Sequence, residues 1–271
     1  MGEANPGVTP LSIAGGSGHN LNEEVQMWLG SNGGSLFDDS GAPTIDTPEM
    51  REVLEFWKSL REDDLIDSGW TSALYADTLT NLALGNAASI FSFGRATYTF
   101  EEQAPELATN GGIHIVPTKP VGPSAGSDEW ITQLDAEPWV AFKDASEPAG
   151  AQLFLEHFYE PENYMKWVGS VPTQLLPVRP SFFDDAEYSA LPEMENWRYW
   201  IDLQREVFED GRAYPLMITD AKDLELPYVS ELYGSSILMD LVMAVVEQNA
   251  DIDESLEAAQ GRADELLAGR F

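Results

Sequence analysis

The 271-residue chain contains no cysteine. That excludes disulfides, thiolate metal sites and a cysteine nucleophile. It leaves the compartment open, because a secreted protein can also lack cysteine. Basic residues are scarce: Lys and Arg total 14, and only five of these are lysines. The three histidines, His19, His114 and His157, form no HExxH pair and no metal-ligand spacing. No apolar run reaches the roughly 18 residues that a membrane-spanning helix needs. The opening residues 1–7 carry no basic n-region and no apolar h-region, so they are not a signal peptide. A secreted protein needs one, so either the protein is intracellular or its true beginning lies outside these residues. A G-x-S-x-G nucleophile elbow is missing. Gly16-Ser17-Gly18 lacks the third glycine of a dinucleotide loop.

Acid dominates what is present. Asp and Glu total 47, for a formal net charge of -33, and they are spread along the whole chain. At low salt such a surface repels itself and weakens the compact state. At molar salt the Debye length falls to about 3 Å and the repulsion is screened. An acidic, lysine-poor surface on a normal core is what a high-salt proteome selects, whereas nucleic acid and anionic membranes are poor partners for it. Hydrophobic residues make up 43% and aromatics 11%, which provides for a core and separates the chain from acidic disordered sequences.

Helices and strands alternate, predicting an α/β fold whose last third is helical. A short strand and a Gly-rich turn occupy residues 1–20, and a helix follows up to Asn32-Gly33-Gly34. Thr47-Pro48-Glu49 is a helix start, and Met50, Val53, Leu54, Trp57 and Leu60 keep the helical period, so Trp57 reads as core. Thr71 or Ser72 opens a helix ending at Gly85. Residues 88–93 read as a buried strand, 113–116 and 139–142 as two more. The Pro-, Gly- and Ser-rich residues 117–130 form a long loop. Helices are expected over 146–159, 161–168, from Pro192 (Met194, Trp197, Ile201 and Phe208 inward), from Pro227, and from a cap at Asp253.

The order of these segments resembles the family 1 extracellular solute-binding proteins, the sugar receptors of ABC importers. The words that carry it are VQMWLGSNGGSLF (25–37), TPEMREVLEFWKSL, YADTLTNLALGNAASIFSFGR, the returning stretch WVAFKDASEPAGAQLFLEHFYEPENYMKWV, LPVRPS and the closing DIDESLEAAQGRADELL. The resemblance implies a two-lobed, periplasmic-binding-protein-like type II fold, with the first lobe incomplete and a signal or lipoprotein segment lying outside these residues. It divides the chain into 1–137 (second lobe), 138–178 (a return into the first) and 179–271 (helical completion of the second). It further implies an extracellular, cell-surface protein that is monomeric, uses no cofactor and catalyses no reaction. Such a protein closes around a carbohydrate and delivers it to the ABC permease subunits.

A sugar offers an apolar C–H face and a rim of hydroxyls, so a receptor needs aromatic platforms edged by polar side chains. Open α/β sheets place ligands beyond the carboxyl ends of strands. The candidates are His19, Asn20 and Glu23 where a loop meets a helix, Phe93, Arg95 and Tyr98 after a strand, Trp130, Asp135 and Trp139 around the long loop, Gln174 in the second crossing, and Tyr233. Thr173 and Arg179 lie beside Gln174, and Trp70 and Tyr75 could also face a cleft. Each has a plainer reading. Phe93 could be core with Arg95 paired to a surface acid, Tyr233 a core tyrosine, Asn20 a helix cap and Trp139 a buried strand residue. Two other functions stay open: a non-binding fragment or protein-interaction remnant, and a carboxylate glycosidase.

Overall fold

In the computed structural model of the chain, residues 7–109, 111–124, 126, 130–134, 138–178, 182–215 and 226–270 are described. Asp135 and Arg179 lie outside them. The chain forms two compact units. The larger combines residues 1–91, 116–135 and 207–271; the smaller combines 92–115 and 136–206.

The larger unit holds the main core. Strand β1 (Thr9–Ser12) lies parallel to β2 (Ala87–Ile90), with Leu11 opposite Ser89. Between them in sequence come α1 (Gly18–Ser31), α2 (Pro48–Glu62) and α3 (Tyr75–Ala83). Helix α2 starts as its residues dictate. Thr47 accepts from the Met50 N–H, and Pro48 fills the first turn, where its missing N–H costs nothing. Its period then buries Met50, Val53, Leu54 and Trp57. Each such side chain contributes about 1.5–3 kcal/mol. They pack with Ile13, Leu21 and Trp70 from the first third of the chain and Leu241, Val245 and Leu256 from the last. A second parallel pair, β3 (Thr132–Leu134) and β4 (Ala213–Pro215), sets Gln133 opposite Tyr214.

The smaller unit contains α4 (Ala96–Gln103), α5 (Pro105–Thr109), α6 (Pro148–Phe158), α7 (Pro161–Val168) and α8 (Ala186–Ser189). Tyr164, Met165, Val168, Tyr188, Met194 and Ile201 form its own small core, with Trp167 packed against it. Helix α9 (Arg198–Glu209) begins here and ends in the larger unit, which closes with α10 (Val229–Tyr233), α11 (Ile237–Val242) and α12 (Ile252–Leu266).

Several expectations are corrected. Residues 113–116 and 139–142 form no strand, since a strand needs a ladder partner and none is found among the described residues. β2 ends at Ile90, and Ala88 and Ser89 on it are exposed, so it is not a buried strand. Pro192 opens only a single turn, Pro192–Met194, and Phe208 points outward. Asp251 caps α12, accepting from the Glu254 N–H, while Asp253 pairs with Arg51.

Candidate ligand site

The start of α1 gathers a polar cluster in the larger unit. The chain reaches it through Gly15 and Gly16, where side chains would collide. A Cβ on Gly15 would sit 2.3 Å from the Trp70 ring, and one on Gly16 2.7 Å from the Ser72 backbone. Ser17 then caps α1 by accepting from the Asn20 N–H at 3.5 Å. One turn on, the buried Glu23 carboxylate accepts from Asn20 Nδ2 (3.3 Å) and Gln133 Nε2 (3.4 Å) and lies 3.4 Å from His19 Nε2. The exposed His19 ring is hydrogen-bonded to the Tyr233 hydroxyl through Nδ1. The two rings meet edge to face, with centroids 5.3 Å apart. Asn22 ties α10 to α1 by donating to the Tyr233 carbonyl at 2.8 Å.

Four candidates named from the sequence, His19, Asn20, Glu23 and Tyr233, therefore meet in one place. Asn22 and Gln133 join them, and sequence reasoning missed both. Gln133 could have been noticed as a strand residue three positions after Trp130; nothing in the sequence singles out Asn22. Both carry a buried side-chain oxygen without a hydrogen-bond partner, Asn22 Oδ1 and Gln133 Oε1. Uncompensated acceptors are costly when buried. Next to them Glu24 is wholly buried, and burial pushes its carboxyl up to about 8. The Ala14 N–H donates to one of its oxygens at 3.5 Å and the other has no partner.

Trp130 also belongs to this unit. The Arg212 guanidinium lies over its ring, 4.9 Å from the centroid, and donates to its carbonyl at 3.3 Å. Arg212 thus covers a face of the indole by cation–π attraction.

Phe93, Arg95, Tyr98, Trp139 and Gln174 fall in the smaller unit. Gly94 is pressed against another turn: a Cβ there would sit 1.8 Å from the Thr173 carbonyl oxygen. The Thr173 hydroxyl donates to the Gly94 carbonyl (2.6 Å) and meets the Thr97 hydroxyl (2.8 Å). Gln174 accepts from the Arg95 N–H at 3.0 Å. So Arg95 and Gln174 are brought together, with the Arg95 side chain exposed and Phe93 half-buried beside them. Tyr98 is exposed and donates to Glu102 (3.0 Å). Trp139 is half-exposed against Phe154 and Phe158, far in kind from the buried strand residue considered above. Trp70 is fully buried, its indole N–H donating to Glu247 at 3.0 Å, so it is core and lines no cleft. Among the described residues no group of three or more His, Asp or Glu is placed to hold a metal.

The chain belongs to the bacterial extracellular solute-binding proteins, whose family model matches residues 3–196. Among individual proteins it is similar to YcjN of Escherichia coli (strain K12), named as an ABC transporter periplasmic-binding protein. The two are 24% identical over 245 residues, covering 88% of this chain and 51% of YcjN. The fold matches maltose-bound MalE3 of T. maritima (TM-score 0.72, 17% identity, 98% of this chain and 62% of that one). It equally matches a sugar transporter of Arthrobacter chlorophenolicus A6 with bound laminaribiose (TM-score 0.72, 17% identity, 96% and 60%). A solute-binding protein of Agrobacterium radiobacter K84 in complex with ribitol gives a TM-score of 0.67 at 17% identity, covering 96% and 60%. The chain spans about half the length of the curated relative and about three-fifths of these solved structures.

Proposed function

We propose that the chain belongs to the substrate-binding component of an ABC importer and captures a sugar or oligosaccharide outside the cell for the permease. The observation that carries this reading is the cluster at the start of α1. It sets an aromatic side chain, Tyr233, beside donors and acceptors at a helix N-terminus, with two buried acceptor oxygens unsatisfied. A polyol hydroxyl can bond the exposed His19 ring, and a pyranose face can lie on an aromatic ring. The Glu23 carboxylate beside His19 disfavours phosphorylated or acidic sugars. Family membership and three neighbours with a bound sugar or polyol support the same class of ligand. Trp130, together with Phe93, Arg95, Tyr98, Trp139 and Gln174 of the smaller unit, are further proposed contacts. Binding makes and breaks no bond in this reading, and no cofactor takes part. The acidic surface fits a high-salt setting.

Titration with maltose, laminaribiose and ribitol in molar KCl, followed by calorimetry, tests it. One of the three should bind, and Tyr233→Ala should weaken it about tenfold or more, the loss of a stacking contact and its hydroxyl. Binding unchanged by Tyr233→Ala would move the site away from α1. No binding of any of the three by folded protein would favour the reading of a non-binding fragment or protein-interaction remnant.

A further inference from the structure

One buried carboxamide in the larger unit ties three segments together. Asn32, fully buried, stands at the C-terminal end of α1. An asparagine there can simply stop a helix. Here Gly33 takes the left-handed conformation (φ 82°), and the Asn32 side chain reaches other segments. Its Oδ1 accepts from the Val121 N–H (3.1 Å) and the Gly122 N–H (2.9 Å). Its Nδ2 donates to the Glu49 carbonyl (3.2 Å) and to Glu52 Oε2 (2.7 Å). Two acceptor and two donor positions are all that a carboxamide has. Glu52 completes the clamp by accepting from the Ser124 hydroxyl (2.7 Å) and the Ser124 N–H (3.2 Å). Glycine is required between them, since a Cβ on Gly122 would sit 2.0 Å from Glu52 Oε2. Burial raises the Glu52 carboxyl, but the bonds from Ser124 and Asn32 outweigh it and hold the group below its usual range. An ionised acceptor makes such bonds stronger than neutral ones. Val121 adds an apolar contact to the main core.

The clamped segment leads to the candidate site. One residue before Asn32, the Ser31 hydroxyl accepts from the Ile131 N–H at 3.2 Å. Strand β3 follows at once, and its Gln133 donates to Glu23 (3.4 Å), about two turns back along α1. Strand β4 pairs with β3 sideways, while the clamp and Ser31 set that pair against α1. The last residues of α1 therefore fix the segment whose glutamine steadies the carboxylate near its start. We propose that Asn32 and Glu52 are positioning residues of the candidate ligand site. By clamping residues 121–124 to the end of α1 they hold Gln133 on Glu23, and so fix the carboxylate that faces His19. Both act through Gln133 and not on the ligand. The clamp stands on its own hydrogen bonds; its importance for a sugar rests on the function proposed above.

The test uses the full 271-residue chain in molar KCl. NMR follows the side-chain amide signals of Gln133, assigned by their loss in Gln133→Ala, and the backbone amide exchange of residues 131–134. Glu52→Ala should shift the Gln133 signals and speed that exchange by about tenfold or more, with exchange in α12 unchanged. Ser124→Ala, at an exposed position, should do the same more weakly, and it replaces Glu52→Ala if that variant does not fold. Asn32→Asp sets a second carboxylate against Glu52 and should open the clamp. Adding Glu52→Gln restores a donor facing a carboxylate and should bring the Gln133 signals part of the way back, which a general loss of stability would not allow. Affinities for maltose, laminaribiose and ribitol are read in parallel. For any that binds, Glu52→Ala and Gln133→Ala should weaken it by similar factors, and the double variant by little more than either, because both remove one arrangement. Unchanged Gln133 signals in folded Glu52→Ala, or in Ser124→Ala where Glu52→Ala does not fold, would overturn the proposal. So would exchange accelerated equally in α12, or fully additive losses of affinity. If no sugar binds the unaltered chain, the sugar reading fails while the Gln133 signals still decide the clamp.

Discussion

Glu24 shows how one residue can set a measurable property of the whole. Its carboxyl is buried in the larger unit, with a single weak N–H contact and the adjacent Glu23 charge. Desolvation is the largest cause of its shift, from 4.5 to about 8. The folded state therefore holds a proton that the unfolded state releases between those values. The sign is fixed: stability tied to this proton is complete below pH 4.5 and is lost as pH rises toward 8. The expected loss is on the order of a few kcal/mol. Glu24→Gln keeps the shape and removes the charge, so it should flatten this slope and raise stability at pH 8. Urea unfolding at pH 5 and pH 8 in constant salt measures it; equal slopes for both proteins would show that Glu24 is not the group responsible. The sequence could not have marked this carboxylate among 47, because burial and not residue type makes it unusual.

At the scale of elements, local chemistry was legible wherever capping and period agreed. Helix α2 was predicted from Thr47-Pro48 and its apolar spacing, and it forms as read. The start of α12 was placed two residues late. Asp251 and Asp253 are both plausible caps in sequence, and only the backbone decides. Asp251 is extended (φ -64°, ψ 131°) and its carboxylate reaches the Glu254 N–H at 3.1 Å. Replacing Asp251 by Ala should cost about 1 kcal/mol, the usual value of a lost cap. Asp253→Ala removes only a surface pair and should cost less. Comparing the two variants by thermal melting distinguishes the assignments; a larger loss at Asp253 would reverse them. The strands were harder to read. Residues 139–142 have the composition of a strand, but a strand exists only with a neighbour, which a local pattern cannot reveal.

For the molecule as a whole, charge is the governing quantity. With 47 acids against 14 bases, folding concentrates like charges at the surface. Melting temperature should climb by several degrees from dilute buffer to molar KCl, and sulfate should not be needed for the effect, since screening and not exclusion is at work. A melting curve indifferent to KCl would remove the high-salt reading. The sequence alone determined this charge, the exclusion of thiol chemistry, the α/β class and the segment order by which the family was recognised, because each is a property of composition or of local period. It also named four residues that the larger unit brings together, His19, Asn20, Glu23 and Tyr233. The tertiary structure decided what depends on distant partners. It pairs Tyr233 with His19 across 214 positions of chain, and it buries Glu24 and Trp70 while exposing α6. Burial and pairing are sums over neighbours remote in sequence, and no local pattern carries that sum.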